Sequence, residues 1–174
     1  MKQQLEIEFK TLVDKEQFDR IAHLYRPLLF LKQHNYYYNS PFSDYSFRVR
    51  VKEEQKIFTL KQRLDDRILE HEKAFTGHFY EDAEIRNVLN RLNIFPPFSL
   101  EGELITYRAT VENNLAELCL DINCYNSLID YEIEYEMKKD HDGLKAFEEI
   151  LSAVGIRYEP SYASKYYRCI STKE

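Results

Sequence analysis

The chain has 174 residues and a net charge of −6, and 31% of its residues are charged, 44% apolar and 14% aromatic. This composition is typical of a folded protein, and the length fits one domain over residues 1–174. The acidic balance argues against a general nucleic-acid binder, because affinity for a phosphate backbone needs an excess of Lys and Arg. The sequence has neither a signal-peptide core nor a run of about 18 apolar residues, so we expect a cytoplasmic monomer or homodimer without a membrane partner.

The first half of the chain predicts one helix and five strands. The opening strand holds "EIEFK", Glu6 to Lys10, in which charged and apolar residues alternate. A helix begins at Asp14, which with Gln17 has the spacing of a capping box, and it ends near Pro27. The strands that follow span about residues 28–39, 45–53, 56–64 and 67–75, and Asp65 and Asp66 read as a turn rather than as a metal site.

The second half predicts two helices and three strands. One helix covers residues 80–93, where apolar residues recur at helical spacing, and another covers 142–154 and ends at Gly155. The strands span about residues 98–112, 115–125 and 129–138. The final segment, "SYASKYYRCI", fits either a short helix or a last edge strand. Strands that follow one another with short turns favour antiparallel pairing.

Charged side chains occupy alternate positions in almost every predicted strand. "FRVRVK" and "FTLKQR" alternate Arg or Lys with apolar residues, and "LEHEKAF" and "YEIEYEM" do the same with Glu. Successive side chains of a strand point to opposite faces, so each strand has a charged and an apolar face. For a single strand this usually means only that the charges face water. Here the faces repeat paired Glu or paired Arg, which is tolerable if opposite charges lie between them.

We therefore predict an α+β fold, an eight-stranded antiparallel β-barrel that is closed or nearly closed, with a charged lumen and helices on its apolar outside. Eight strands leave an interior about wide enough for one small ligand. The alternation puts acids and bases in nearly equal number inside. The acids are Glu6, Glu8, Glu70, Glu72, Asp121, Glu132, Glu134 and Glu136, and the bases are Lys10, Arg48, Arg50, Lys52, Lys61, Arg63 and Arg108.

A lumen with this mixture predicts a ligand that needs charges of both signs. Burying ions costs several kcal/mol per charge, so a purely structural role is a poor explanation. Arg and Lys supply donors for phosphate oxygens, and carboxylates are the ligands that hard divalent cations prefer. A metal-bound polyphosphate requires both sets. Because the sequence lacks a GxxxxGK motif, side chains rather than backbone amides would hold the phosphates.

The same residues, taken in order, resemble a known family. The series comprises the opening ExExK of Glu6, Glu8 and Lys10, then "YYYNS", "FRVRVK", "FTLKQR", "LEHE", "YR" at Arg108, "LD", "EIEYE" and a late "SKYYR". It is similar to the CYTH superfamily, also called triphosphate tunnel metalloenzymes, and most of all to the short single-domain bacterial branch. The resemblance spans nearly the whole chain. It implies an eight-stranded antiparallel tunnel that hydrolyses a triphosphate, with Mg²⁺ or Mn²⁺ as cofactor.

The resemblance also implies roles for individual residues. Metal would be bound by Glu6, Glu8, Glu132 and Glu134, with Glu70, Glu72 and Asp121 as further acids that position metal or basic side chains. The phosphate chain would be held by Lys10, Arg48, Arg50, Lys61, Arg108 and Lys165, with Arg168 near the tunnel mouth. Lys10, Lys61 and Glu8 are the residues implied in catalysis. The sequence leaves open whether Asn39, Lys52, Arg63 and Glu136 take part.

Other functions fit parts of the same pattern. The superfamily includes adenylyl cyclases, which need a base-recognition pocket that the sequence does not reveal. A non-catalytic binder of polyphosphate or nucleotide would keep the bases and dispense with part of the carboxylate set. A sheet whose charged face is simply exposed to water would bind neither a polyphosphate nor a nucleotide. The pattern also does not distinguish inorganic tripolyphosphate from a nucleoside or other organic triphosphate.

Overall fold

The structure, a computed structural model, describes residues 1–64 and 67–172. Its strands are β1 (Lys2–Glu6), β2 (Glu8–Val13), β3 (Leu31–Ser40), β4 (Ser43–Lys52), β5 (Gln55–Leu64), β6 (Arg67–Phe75), β7 (Ser99–Glu112), β8 (Ala116–Tyr125) and β9 (Leu128–Met137). Its helices are α1 (Lys15–Leu24), α2 (Ala83–Arg91), α3 (Gly143–Ser152) and α4 (Lys165–Ser171), with a short 3₁₀ helix (Phe79–Glu81) before α2. The turn predicted at Asp65 and Asp66 lies outside the described residues.

All nine strands form one antiparallel sheet in the order β1-β6-β5-β4-β3-β7-β8-β9-β2. The first and last strands of this order are consecutive in the chain, with only Ile7 between them. The N-terminal segment therefore joins the two edges of the sheet, which curls around a lumen. The predicted fold class, an antiparallel tunnel with helices outside, is confirmed.

The predicted count of eight strands was wrong, because the opening strand changes partner at Ile7. Glu6 pairs with Ile68 of β6, whereas Glu8 pairs with Glu136 of β9. The carbonyl of Ile7 accepts a hydrogen bond from the amide of Met137 at 2.9 Å. The alternation of charged and apolar side chains continues through this break, so the sequence pattern does not reveal it.

The hydrophobic core lies outside the curled sheet, in two clusters beneath the helices. In the first, α1 and α3 pack on the apolar faces of β7, β8 and β9, with Phe18, Leu120, Ile133 and Phe147 among its buried residues. In the second, α2 and the 3₁₀ helix pack on β4 and β5. These helices begin at capped positions: Asp14 closes the predicted capping box with Gln17.

The final segment, for which helix and strand were both open, forms α4 and closes one end of the lumen. Its residues Tyr166 and Cys169 pack against the inward-facing Tyr37, Leu104 and Tyr125. A glycine at position 102 permits this approach, because a Cβ there would lie 2.8 Å from the Sγ of Cys169. Across residues 1–64 and 67–172, no helix combines the length and apolar character needed to cross a bilayer.

Candidate phosphate and metal site

The curled sheet encloses a cavity of about 620 Å³. Among the described residues, its lining holds equal numbers of acids and bases. The acids are Glu6, Glu8, Asp44, Glu70, Glu72, Glu117, Glu134 and Glu136, and the bases are Lys2, Lys10, Arg48, Arg50, Lys61, Arg63, Arg108 and Lys165. Because these formal charges cancel, the cavity offers no net positive charge to a polyanion. Such a ligand would therefore bind best together with cations.

Most of the predicted site residues meet in this cavity, and three lie deeper. Asp121 and Glu132 are fully buried below the lining, and Arg168 reaches Glu132 from α4. Of the residues that the sequence left open, Arg63 and Glu136 line the cavity, whereas Asn39 and Lys52 are not part of its surface.

The floor of the cavity is a cluster of buried ion pairs around Arg108 and Lys165. Arg108 binds Asp121 through two hydrogen bonds, Nε to Oδ1 at 2.7 Å and Nη2 to Oδ2 at 2.5 Å, and also binds Glu134. The ammonium of Lys165 lies 2.9 Å from Asp121 and contacts both Glu132 and Glu134. Burial alone would lower the pKa of Lys165, but the three carboxylates outweigh it and hold this pKa well above its usual range.

Carboxylate oxygens of Asp121, Glu132 and Glu134 lie within 4.8 Å of one another, a spacing that fits a single cation. The ammonium of Lys165 bonds to all three carboxylates. Burial tends to raise the pKa of Glu134, but Lys165 and Arg108 outweigh it, so the pKa stays well below its usual range. Burial raises the pKa of Glu132 to about 7, although Lys165 opposes this shift. The charged groups of the floor are thus paired with one another.

The acidic wall of the cavity, formed by Glu6, Glu8 and Glu136, is less well compensated. Glu8 accepts a hydrogen bond from Lys10 at 2.8 Å. Among the described residues, Glu136 has no cation as a partner, and burial together with Glu70, Glu117 and Glu8 raises its pKa. Glu8 and Glu136 lie directly opposite each other on β2 and β9.

Glu6 carries the clearest sign that this wall is incomplete. Its Oε1 binds Lys61, but its Oε2 is buried and has no hydrogen-bond partner among the residues that the structure describes. The side chain is only 5% exposed. Burial raises the pKa of Glu6 from 4.5 to about 7, with Glu8 adding to the effect and Lys61 opposing it. A buried carboxylate oxygen without a donor fits the chemistry of a cation ligand.

The basic wall, formed by Arg48 and Arg50, has no carboxylate partner within the described part of the chain. Arg50 donates from Nε to the Oδ1 of Asn35 at 2.8 Å, and Arg48 donates from Nη2 to Thr59 at 3.1 Å. The Nε of Arg48 is buried and has no hydrogen-bond partner within residues 1–64 and 67–172. Burial and the nearby charges of Arg48 and Arg108 lower the pKa of Arg50 to about 9. These guanidinium groups are therefore poised for an anion.

Sequence reasoning missed a set of uncharged polar residues beside Arg50. Asn35, Gln33 and Thr106 are buried on the lumen face of β3 and β7, next to Asn123 of β8. The only feature of the sequence that could have indicated them is their alternating position in the strand. Asn35 lies two positions from Tyr37 and therefore on the same face as the inward-facing residues of β3. The sequence drew attention to Asn39 instead.

An antiparallel sheet curled around paired acids and bases defines a tunnel fold with a charged lumen. The sequence profile of the CYTH domain matches residues 4–167, and the chain belongs to the CYTH domain family.

Individual relatives show the same likeness. The chain is 29% identical over 170 residues to a candidate triphosphatase of Bacillus subtilis, YjbK, and the match covers 90% of both proteins. It is 30% identical to a candidate adenylate cyclase of Bacillus halodurans, whose crystal structure has a TM-score of 0.83 and is matched over 97% of this chain and 98% of that one. A Hippeastrum protein, described as a candidate adenylyl cyclase with a dominant triphosphatase activity, has a TM-score of 0.72 at 22% identity, over 94% and 95% of the two chains. At that identity the comparison supports the fold alone.

Proposed function

We propose that the protein is a metal-dependent triphosphatase that hydrolyses inorganic tripolyphosphate or a nucleoside or other organic triphosphate in its lumen. The observation that carries the proposal is the pairing of two incomplete walls across one cavity. One wall presents the guanidinium groups of Arg48 and Arg50 without carboxylate partners, and the other presents Glu6 and Glu136 without a full set of cations. A polyphosphate bound with a divalent cation would supply the anion that the arginine wall lacks and the cation that the glutamate wall lacks.

The donor set fits Mg²⁺ or Mn²⁺. We assign Glu6, Glu8 and Glu136 as the residues that would hold the cation, because all three are carboxylates that face the cavity and the Oε2 of Glu6 has no other partner. A bound divalent cation neutralises phosphate oxygens and lowers the pKa of a bound water. Glu70, Glu72, Asp121, Glu132 and Glu134 remain predicted ligands from the family resemblance.

The chain's own side chains would bind and orient the substrate. Arg48 and Arg50 would donate to phosphate oxygens, and Lys10 and Lys61 would balance charge between these oxygens and the acidic wall. Arg108 and Lys165 remain predicted phosphate ligands from the family resemblance, and their carboxylate partners fix their positions in the floor. Catalysis of this kind depends on positioning and charge neutralisation rather than on a dedicated histidine.

An adenylyl cyclase is the second candidate, favoured by the name of the Bacillus halodurans relative. Cyclisation requires the ribose to be held next to the α-phosphorus, whereas hydrolysis requires only the phosphate chain and a water. The two unpaired guanidinium groups suit either reaction, so the products decide between them.

The proposal includes a cytoplasmic location. Cys119 and Cys124 are free thiols, which suits a reducing compartment. The partner we propose is a small-molecule triphosphate.

A product assay tests the proposal. Purified protein is incubated with tripolyphosphate, ATP, GTP or thiamine triphosphate, each with Mg²⁺, with Mn²⁺ or with EDTA. We expect phosphate release from at least one substrate that depends on the metal and is lost in Glu6→Gln, whereas Glu112→Gln, a change at an exposed carboxylate outside the cavity lining, keeps the activity. Cyclic AMP as the main product from ATP supports the cyclase instead. Tight binding without any product contradicts both enzymes and supports a binder.

A further inference from the structure

We propose that Asn35, Thr106, Asn123 and Asp130 form a directional hydrogen-bond relay that positions Arg50 for an anion, with Asn35 as the positioning residue in contact with it. The relay crosses five strands that are neighbours in the sheet, β4, β3, β7, β8 and β9, and each strand contributes one residue. The effect on substrate binding rests on the proposed function, whereas the geometry of the relay does not.

The contacts run without a break from Arg50 to Asp130. The Nε of Arg50 donates to the Oδ1 of Asn35 at 2.8 Å, and the Nδ2 of Asn35 donates to the Oγ1 of Thr106 at 3.5 Å. Thr106 then donates to the Oδ1 of Asn123 at 2.8 Å, and the Nδ2 of Asn123 donates to Asp130 at 2.9 Å.

The sheet register explains these distances. Arg50 and Asn35, Thr106 and Asn123, and Asn123 and Asp130 are directly opposite pairs. Asn35 lies opposite Leu104 rather than Thr106, so its contact with Thr106 is diagonal and is the longest of the four. The second hydrogen of the Asn35 amide goes to the carbonyl of Leu104 at 3.2 Å, which holds the amide plane.

The two ends of the relay give it one direction. A guanidinium only donates hydrogen bonds, and a carboxylate only accepts them. Asn35, Thr106 and Asn123 can satisfy both ends only if each accepts from the Arg50 side and donates toward Asp130. Asp130 is held as an acceptor by the hydroxyl of Tyr125, which donates to it, and by an ion pair with the guanidinium of Arg168 at 3.0 Å. The orientation of the Asn35 amide is therefore set by a charge three residues away along the relay.

The relay orients Arg50 without neutralising it. Arg108, the neighbouring lumen arginine, is held by the carboxylate of Asp121, which compensates its charge. Asn35 offers Arg50 an amide oxygen instead, so the guanidinium is fixed in place while its positive charge stays available. An arrangement of this kind suits a residue whose partner is a ligand rather than another side chain.

The test removes the middle of the relay without touching Arg50. Thr106→Val deletes the hydroxyl at nearly constant volume, Thr106→Ser restores it, and Thr110→Val is a matched control on the same strand and outside the relay. Proton NMR follows the Nε–H signal of Arg50, identified by its absence in Arg50→Lys. We expect hydrogen exchange of this signal to be about tenfold faster in Thr106→Val, and to match wild type in the serine and Thr110 variants. Thr106→Ala serves if the valine variant does not fold.

A second measurement separates positioning from stability. In Thr106→Val we expect the KM for tripolyphosphate to rise about tenfold with a smaller change in kcat. In Thr106→Ser the KM should return to the wild-type value. An Nε–H exchange rate that Thr106→Val leaves unchanged overturns the relay. A wild-type protein inactive on every triphosphate overturns the proposed function, and the exchange rates then decide the relay by themselves.

Discussion

Glu8 and Glu136 lie directly opposite each other on β2 and β9, both facing the lumen. Glu136 is also directly opposite Glu117 of β8, which lies opposite Glu112 of β7, so four carboxylates occupy one row across adjacent strands. Like charges in directly opposite positions destabilise a sheet. Lys138 compensates Glu117 from outside the row at 2.9 Å, and Lys10 compensates Glu8 at 2.8 Å, which leaves Glu136 with the least compensation. This row has the charge that a divalent cation would neutralise.

Glu136→Gln should stabilise the metal-free protein and impair its use of metal. Removing the repelling charge should raise the free energy of unfolding by about 0.5–1 kcal/mol, which calorimetry in EDTA measures. The Mg²⁺ concentration needed for half-maximal phosphate release should rise about tenfold. Glu112→Gln is the control, since Glu112 ends the same row at an exposed position and pairs with Lys138. Lower stability together with an unchanged metal requirement contradicts the assignment of Glu136.

Arg50→Gln should abolish stabilisation by ligand without weakening the free protein. A buried guanidinium that lacks a carboxylate partner contributes little to stability, so the melting temperature without ligand should stay constant or rise. Tripolyphosphate at about 100 times its Kd should stabilise wild type by about 2.7 kcal/mol and leave the variant unaffected. Arg20→Gln, at an exposed position of α1, should behave as wild type. If tripolyphosphate stabilises Arg50→Gln as much as it stabilises Arg20→Gln, Arg50 is not a phosphate ligand.

The pH dependence of stability should report Glu6. The pKa of Glu6 is 4.5 in the unfolded chain and about 7 in the folded protein, because burial disfavours its charged form. The folded state therefore binds the proton more tightly, and its contribution to stability is complete below pH 4.5 and is lost as the pH rises through 7. Urea unfolding in EDTA should show a smaller loss in Glu6→Gln than in wild type. Part of the loss should remain, because burial also raises the pKa of Glu132 to about 7. Parallel curves for the two proteins indicate that Glu6 titrates normally.

The docking of α4 should depend on the contact between Gly102 and Cys169. Gly102→Ala places a methyl group 2.8 Å from the Sγ of Cys169, and such overpacking typically destabilises a protein by about 1–3 kcal/mol. Cys169→Ala removes the obstructing sulfur, so the double variant should recover most of the loss. A double-mutant cycle by denaturant unfolding measures this coupling. Additive effects of the two changes show that Gly102 is not required for close packing.

The side of each strand that faces the lumen was predictable from local sequence. Side chains alternate with a period of two, so "FRVRVK" alone determines that Arg48 and Arg50 share a face, and the structure brings them into one cavity with Glu6 and Glu8. The helices on the apolar outside follow from the same alternation, because the opposite faces have to be covered.

Features that depend on long-range pairing were not predictable. The change of partner at Ile7 arises because the chain joins two sheet edges, and nothing in the alternation of β1 and β2 marks it. The place of Lys165 depends on how α4 packs against Gly102. Asn35 is significant only because the register sets it opposite Arg50, whereas the sequence gives it no more prominence than Asn39.

Anomalous diffraction from crystals soaked with Mn²⁺ and a non-hydrolysable triphosphate tests the central claim most directly. We expect manganese in the lumen, ligated by Glu6, Glu8 and Glu136, with phosphate oxygens bridging from the metal to Arg48 and Arg50. A lumen without manganese in crystals that hold the triphosphate elsewhere on the molecule contradicts the account.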